Sequence, residues 1–311
     1  MGSRPWQNWL MTSRRLVFGL SALLAVLLIG LLIASGVRFD NQDVDPAPAS
    51  SQERRRQALA EKSTLIADAA KRLSAASPNS NVFARVENAA AAYASALGGV
   101  WRPWPNGAPS GRTNPPVSTS APANADASFL VLKLGELSRE AVAAANSAPV
   151  SERETYLAVA LDARLQAVGV ATHAGGKASC GDADPVAAGK AAATEEALSG
   201  VEAARQWLET DVASLPANQR QAGIARIDSI KAAQSAMMSS GAKDRRPAVV
   251  ALPKLAAGET LRSAALKRSS TALVNGAAKA GKPNGEAAVS YACSLYAAQE
   301  ERDSVGTLLK K

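Results

Sequence analysis

The stretch LVFGLSALLAVLLIGLLIASGV, at residues 16–37, decides the layout of this chain because its 22 residues carry no charge. A helix rises about 1.5 Å per residue, so a helix of this length crosses the ~30 Å hydrocarbon core of a bilayer. We therefore predict a transmembrane helix at 16–37. This span separates a tail at 1–15 from a tether at 38–51 and a large domain at 52–311.

The charges on either side of the span predict its orientation. Arg14 and Arg15 precede it, whereas Arg38 is followed within a few residues by Asp40 and Asp43. Because cationic residues remain preferentially on the cytoplasmic side, we expect a cytoplasmic N-terminus. The chain is then a single-pass protein of the plasma membrane, and its large domain lies on the outer, periplasmic side.

A cleaved signal peptide is the alternative to a retained anchor. The Arg14-Arg15 pair is similar to a twin-arginine signal, and Ala34, Ser35 and Gly36 are small enough for a cleavage site. The hydrophobic region of a signal peptide usually has about 7–15 residues, however, and this one is longer. Its length favours an uncleaved anchor.

Composition predicts an all-α fold for the rest of the chain. Apolar residues make up 47% of the chain but aromatic residues only 4%, and alanine alone accounts for roughly a fifth of it, about twice its usual share. Alanine has the highest helix propensity because its side chain loses no entropy in a helix. We expect about eight helices in an antiparallel bundle or two stacked bundles. They run approximately over 52–77, 80–97, 127–146, 151–172, 185–214, 216–239, 259–279 and 284–309.

Two of these helices have specific start signals. Ser151 and Glu154 have the spacing of a capping box. Asp184 and Pro185 form an N-cap and first helical residue, which opens a long helix. Two prolines interrupt residues 241–257, which we expect to form an ordered connector.

Residues 98–126 interrupt the helical pattern with a segment rich in proline. A loop of this length inside a compact domain is usually functional or disordered. Trp101, Arg102 and Trp104 belong to the residue types most enriched at the energetic centres of protein interfaces, so they are candidate partner contacts. Alternatively, both tryptophans fold back and cover the protein's own core.

The chain has two cysteines, Cys180 and Cys293, and neither belongs to a C-x-x-C motif. In a domain outside the cytoplasm, the physical expectation is a disulfide between them. Closing a loop of this size stabilises a fold by roughly 4–5 kcal/mol in the chain-entropy model. The alternative is a pair of buried free thiols.

The formal net charge of +8 and the pI of about 9.7 raise the question of a nucleic-acid partner. Residues 1–38 hold four arginines and no acidic residue, so half of the excess charge flanks the span. The other half is spread over the rest of the chain without a basic stripe interleaved with aromatic side chains. We therefore expect contacts with the lipid bilayer but no nucleic-acid partner.

Residue types exclude several kinds of chemistry. The single histidine, His173, cannot supply the two Glu-x-x-His pairs of a di-iron bundle, and the C-x-x-C-H motif of covalent haem is missing. The glycine-rich loops match neither a P-loop nor a dinucleotide fingerprint. We therefore expect no cofactor, no metal and no enzymatic activity. A hydrolase that uses His173 is the remaining catalytic hypothesis, against which a capping imidazole at a helix end is the ordinary explanation.

The layout resembles a known type of subunit. It combines a short basic N-terminus containing tryptophan, one span, a proline-bearing tether, an alanine-rich domain with two cysteines, and the segment VWRPWPNG at 100–107. These features are similar to those of the membrane-anchored accessory subunits of the actinobacterial cytochrome bcc–aa3 respiratory supercomplex, particularly the larger one from corynebacteria. The resemblance implies a protein without a redox centre that binds the complex through its helix and covers its outer face.

Two main hypotheses on function follow. The first is a non-catalytic accessory or assembly subunit whose partners are membrane-embedded protein subunits. The second is a free-standing, anchored envelope protein that binds a small molecule or a cell-wall component.

Overall fold

The computed structural model describes residues 49–104, 106–108, 111–281 and 284–297. None of the helices within these ranges combines the length and the apolar composition needed to cross a membrane. The described residues of 49–102 and 114–297 form one compact unit, and those of 103–113 fall outside it.

The predicted span at 16–37 lies outside the described residues, together with the tail before it and most of the tether after it. Arg14, Arg15 and Arg38, which are predicted to flank the span, lie outside them as well. So does the last part of the predicted C-terminal helix, residues 298–309.

The regular structure of the described residues is entirely helical, which confirms the predicted all-α class. They form nine α-helices and no strand. The helices are α1 (Ser51–Ala76), α2 (Asn81–Ala96), α3 (Ala127–Ser147), α4 (Val150–His173), α5 (Pro185–Ala191), α6 (Glu195–Ser214), α7 (Arg220–Ser239), α8 (Leu261–Lys279) and α9 (Gly285–Ala297).

Polar side chains fix the start of most of these helices. Ser50 accepts a hydrogen bond from the backbone N–H of Glu53 at the start of α1, and Asp126 accepts one from Phe129 at the start of α3. Such caps satisfy N–H groups that have no partner within the first turn of a helix. The local sequence therefore determines where these helices begin.

The predicted capping box at Ser151 and Glu154 is wrong. α4 begins one residue earlier, at Val150, and its N-cap is Pro149, which makes no side-chain hydrogen bond. Ser151 therefore lies inside the first turn, where it cannot act as a cap.

The single long helix predicted from Pro185 to Ser214 is also wrong, because the chain forms two helices there. α5 ends at Ala191, and α6 starts at Glu195 with the Thr194 side chain as its cap. The break lets the two helices pack on different neighbours. α5 packs on α7 and α9, whereas α6 packs on α7 and α8.

α4 is the central helix of the compact unit, where it packs on α2, α3, α8 and α9. A helix that is buried around most of its circumference needs apolar residues on most sides. The sequence LAVALDARLQAVGVA, at 157–171, supplies small aliphatic side chains at most positions. Two charged residues, Asp162 and Arg164, are nevertheless buried within it.

A disulfide joins Cys180, in the loop after α4, to Cys293 in α9, with Cα atoms 5.5 Å apart. This confirms the predicted pairing. The carbonyl oxygen of Cys180 also accepts a hydrogen bond from Arg164 at 3.0 Å. The disulfide and the guanidinium group of Arg164 therefore hold the same loop, the one that contains Cys180.

α6 and α8 pack closely and run antiparallel. A Cβ atom at Gly276, late in α8, would lie 2.6 Å from the Cβ of Ala197 at the start of α6. Glycine is therefore required for this close approach. At the other end, Arg262 of α8 donates to Asp211 of α6 at 2.8 Å.

Candidate interaction surface

Residues 241–260 join α7 to α8 without forming a helix. Pro247 and Pro253 lack the N–H group that a helix needs, and each disfavours the helical conformation in the residue before it. Gly241, with a φ of 99°, ends α7 in the left-handed conformation. The chain therefore leaves α7 as an irregular segment that must find its hydrogen bonds elsewhere.

Two side chains of α6, Gln206 and Trp207, hold this segment. Gln206 Nε2 donates to the carbonyl of Pro247 at 3.3 Å, and its Oε1 accepts from the N–H of Val250 at 2.9 Å. Trp207 Nε1 donates to the carbonyl of Ala251 at 3.0 Å. These bonds satisfy backbone donors and acceptors together and fix the segment on α6.

Gln206 is in turn held by a charged cluster on α6 and α7. The carboxylate of Glu202, only 5% exposed, accepts hydrogen bonds from Gln206 and Gln234, both at 2.8 Å, and from two nitrogens of Arg205. Burial would raise the pKa of Glu202, but these hydrogen bonds outweigh burial and lower the pKa to about 2. The cluster therefore stays ionised at physiological pH and supports Gln206 permanently.

The held segment presents three aliphatic side chains to solvent, which we name the apolar ridge. Val249 is 84% exposed, Leu252 59% and Leu255 44%. Single exposed aliphatic residues are common, but adjoining ones form a patch of the kind that marks interaction sites. Because the backbone beneath these side chains is fixed, the ridge is a candidate interaction surface.

Sequence reasoning predicts the connector at 241–257 but misses the ridge. The available signal is the spacing of three residues between successive large aliphatic side chains in VVALPKL, at 249–255. The same spacing occurs in amphipathic helices, so by itself it does not predict an exposed ridge on an irregular segment.

The predicted partner contacts lie elsewhere. Trp101 and Arg102 follow α2 in the compact unit, and both are exposed, Trp101 by 37%. Trp104 is half-buried and belongs to the described residues of 103–113, outside that unit. The hypothesis that these three residues contact a partner stays a prediction, and none of them belongs to the ridge.

His173 is the last residue of α4. Its Nε2 lies 3.2 Å from Ser80 Oγ, and its ring meets that of Phe83 edge-on with centroids 5.5 Å apart. Ser80 Oγ also caps α2, since it accepts from the N–H of Val82. In the described part of the chain no acceptor orients His173 through Nδ1, as a Ser-His-Asp triad would require. The geometry favours a tie between the end of α4 and the start of α2.

A shallow groove lies between the start of α6 and the end of α8. Thr194, Arg268 and Lys279 contribute to its lining, and its volume is about 150 Å³. Sites for drug-sized ligands usually measure about 300–1,000 Å³, so this groove holds a few atoms at most. Among the described residues, no group of three or more His, Cys, Asp or Glu side chains is arranged to hold a metal ion.

Comparison of the chain with protein-family models, with curated proteins and with solved structures gives no match. These comparisons therefore assign no function to the chain. The ridge is the described feature that points most directly to a binding role.

Proposed function

We propose that this chain is a non-catalytic accessory subunit of a membrane respiratory complex of the cytochrome bcc–aa3 type. The span at 16–37 anchors it in the plasma membrane with the N-terminus in the cytoplasm. The antiparallel helical domain then lies outside the membrane and binds the outer face of the complex. The observation that carries this proposal is the apolar ridge, a set of exposed aliphatic side chains on a backbone that α6 already holds in place.

Preorganisation is what makes the ridge suitable for binding. Ordering a mobile side chain on association costs roughly 0.5–1.5 kcal/mol, and ordering a mobile loop adds to this. Gln206 and Trp207 already fix the backbone of the ridge, and Glu202 fixes Gln206. More of the contact energy is therefore available for affinity.

The disulfide supports a location outside the cytoplasm. Such bridges persist in oxidising compartments and are rare in the cytosol. The bond between Cys180 and Cys293 therefore agrees with the orientation that the charges around the span predict. A braced helical domain on the outer face suits a role in the assembly or stability of a complex.

Co-migration tests the proposal. Membranes of the organism that encodes the chain are solubilised in mild detergent, and the complexes are separated by blue-native electrophoresis. We expect a C-terminally tagged chain in the band that contains the cytochromes. Migration at the mass of the free chain would contradict the proposal and favour the free-standing envelope protein.

The hydrolase hypothesis depends on His173, whose Nε2 lies 3.2 Å from the hydroxyl of Ser80. We expect His173→Ala to leave co-migration unchanged, because the imidazole lies at a helix junction rather than in the ridge. A hydrolytic activity that the purified chain shows and the His173→Ala variant lacks would instead identify an enzyme.

A further inference from the structure

We propose that residues 248–255 are a polyproline-II ligand whose apolar ridge docks into a groove with aromatic walls and an acidic rim on a partner protein. This inference rests on the proposed function, because it names the chemistry by which the accessory subunit would bind its complex.

The exposure of the segment repeats every three residues. The apolar ridge occupies one position in each three and faces solvent. Val250 and Pro253, also three apart, are partly buried, and Val250 is bonded to α6. The third edge, which ends at Lys254, is exposed. A polyproline-II helix has about three residues per turn and predicts three such edges, whereas a strand alternates with a period of two.

The backbone of the outer edge is free to bind. α6 uses the inner side of the segment, where the indole of Trp207 donates to the carbonyl of Ala251. In the described part of the chain, the carbonyl groups of Val249 and Leu252 accept no hydrogen bond. Grooves that recognise polyproline-II segments are lined by aromatic residues, and Trp and Tyr also carry a donor. Trp207 already makes such a contact within this molecule.

Positive charges around the ridge favour an acidic partner. Lys254 lies within the segment and Lys243 precedes it; both are exposed, and neither makes an ion pair with another described residue. Arg245 pairs with Glu195 at 3.1 Å, but at the surface, where such a pair contributes little. Carboxylates on the rim of the groove would complement these cations.

Photo-crosslinking of the full-length chain in its own membrane tests the partner. A photoreactive amino acid replaces Leu252, or, in a control, Leu132, a leucine of similar exposure on α3 (55%). We expect irradiation to join the variant at 252, and not the control, to a protein subunit of the cytochrome complex. Crosslinks from 252 to lipid alone, or to a second copy of this chain, would overturn the inference.

Truncation of the ridge measures its contribution. One variant replaces all three ridge residues by serine, and a control replaces the comparably exposed Leu132, Val150 and Ile224. We expect the ridge variant to reduce co-purification with the complex about tenfold or more, as for interface hot spots. The control should co-purify normally, and both should melt like the wild type because all the changes are at the surface. Undiminished co-purification of the ridge variant would contradict the inference.

Two substitutions at Ala251 distinguish a polyproline-II ridge from an unstructured apolar patch. Proline there fixes φ near about −65° and leaves the carbonyl free to accept from Trp207, whereas glycine loosens the backbone. We expect Ala251→Pro to preserve or raise co-purification and Ala251→Gly to lower it a few-fold. Loss of binding with proline would contradict the polyproline-II geometry.

The experiments separate the two proposals. If the wild-type chain does not co-migrate with the cytochromes, the proposed function fails. If the wild type co-migrates and the serine variant of the ridge does so equally, the proposed function stands and only the docking inference fails.

Discussion

Two buried charges lie two residues apart on α4, and the fold treats them in opposite ways. Arg164 is surrounded by acceptors. Its Nε donates to Ser138 at 3.1 Å, and its two terminal nitrogens donate to the carboxylate of Glu286 at 2.7 and 3.0 Å. Nη1 also donates to the hydroxyl of Ser290 and to the backbone carbonyl of Cys180. Among the described residues, Asp162 accepts one hydrogen bond, from the Tyr93 hydroxyl to Oδ2 at 2.8 Å, and no hydrogen bond reaches its Oδ1.

The difference shows how the number of hydrogen-bonding partners decides whether a buried charge stabilises or destabilises the fold. A buried ion stabilises a fold only if its hydrogen-bonding groups are matched, since an unmatched group keeps its desolvation cost. Arg164 therefore locks α3, α9 and the disulfide loop onto α4. Asp162 remains a local weakness, and protonation relieves it.

Removing the disulfide should have the largest effect on stability, because the bridge holds the same loop as Arg164. The bridge closes a loop of 113 residues, and the double change Cys180→Ser, Cys293→Ser should lower the free energy of unfolding by about 4 kcal/mol. Urea unfolding measures the loss, with the reduced wild type as a second reference. An unchanged midpoint would mean that Arg164 alone holds the loop.

Replacing the guanidinium group of Arg164 tests the hydrogen bonds that join α3, α9 and the disulfide loop to α4. Arg164→Met should cost about 3 kcal/mol, because it leaves Ser138 and the Cys180 carbonyl without their donor; half-exposed Glu286 recovers water. Arg72→Met is the matched control, since Arg72 pairs with Asp68 at the surface and should cost less than about 1 kcal/mol. Similar losses in the two variants would show that burial adds nothing to the Arg164 pair.

The sequence predicts the all-α class and the cysteine pair, and it predicts most helix starts, because these depend on composition and on local caps and prolines. The Arg164 lock is not predictable in this way. Its partner Glu286 lies 122 residues away, and no local pattern brings the two together. The ridge is not predictable for the same reason, since the segment that carries it is held by Gln206, which lies more than 40 residues away on α6.

Removing the Tyr93 hydroxyl should leave the Asp162 carboxylate without its hydrogen bond, whereas Arg164 keeps all of its partners. Tyr93→Phe deletes the hydrogen bond to the Asp162 carboxylate, so the pKa of Asp162 should rise further. We expect a loss of about 2 kcal/mol at pH 7 and a smaller loss at pH 5, where the carboxyl group is protonated. Tyr156→Phe, whose hydroxyl makes a longer bond of 3.4 Å to Glu152, is the control. Equal losses at both pH values would contradict the argument.

The pH dependence of stability is the smallest effect and tests Asp162 directly. Burial raises the pKa of Asp162 to about 6 from its ordinary 3.8, although the hydrogen bond from Tyr93 and the amide side chain of Gln166 oppose the rise. The nearby phenol of Tyr296 stays neutral, because burial raises its pKa as well. The folded state therefore binds the proton of Asp162 more tightly than the unfolded chain does. This contribution to stability is complete below pH 3.8 and is lost as the pH rises through about 6.

We expect Asp162 to make the wild type about 1 kcal/mol less stable at pH 7 than at pH 5. Asp162→Asn should remove this slope, whereas Asp211→Asn, which changes a carboxylate paired with Arg262, should keep it. The difference between wild type and Asp162→Asn at each pH isolates this group from Glu202 and Glu286, whose pKa values are lowered. Those two carboxylates lose their stabilising contribution only as the pH falls, so they act in the opposite sense. If wild type and Asp162→Asn had parallel slopes, Asp162 would be matched as well as Arg164, and the contrast on α4 would disappear.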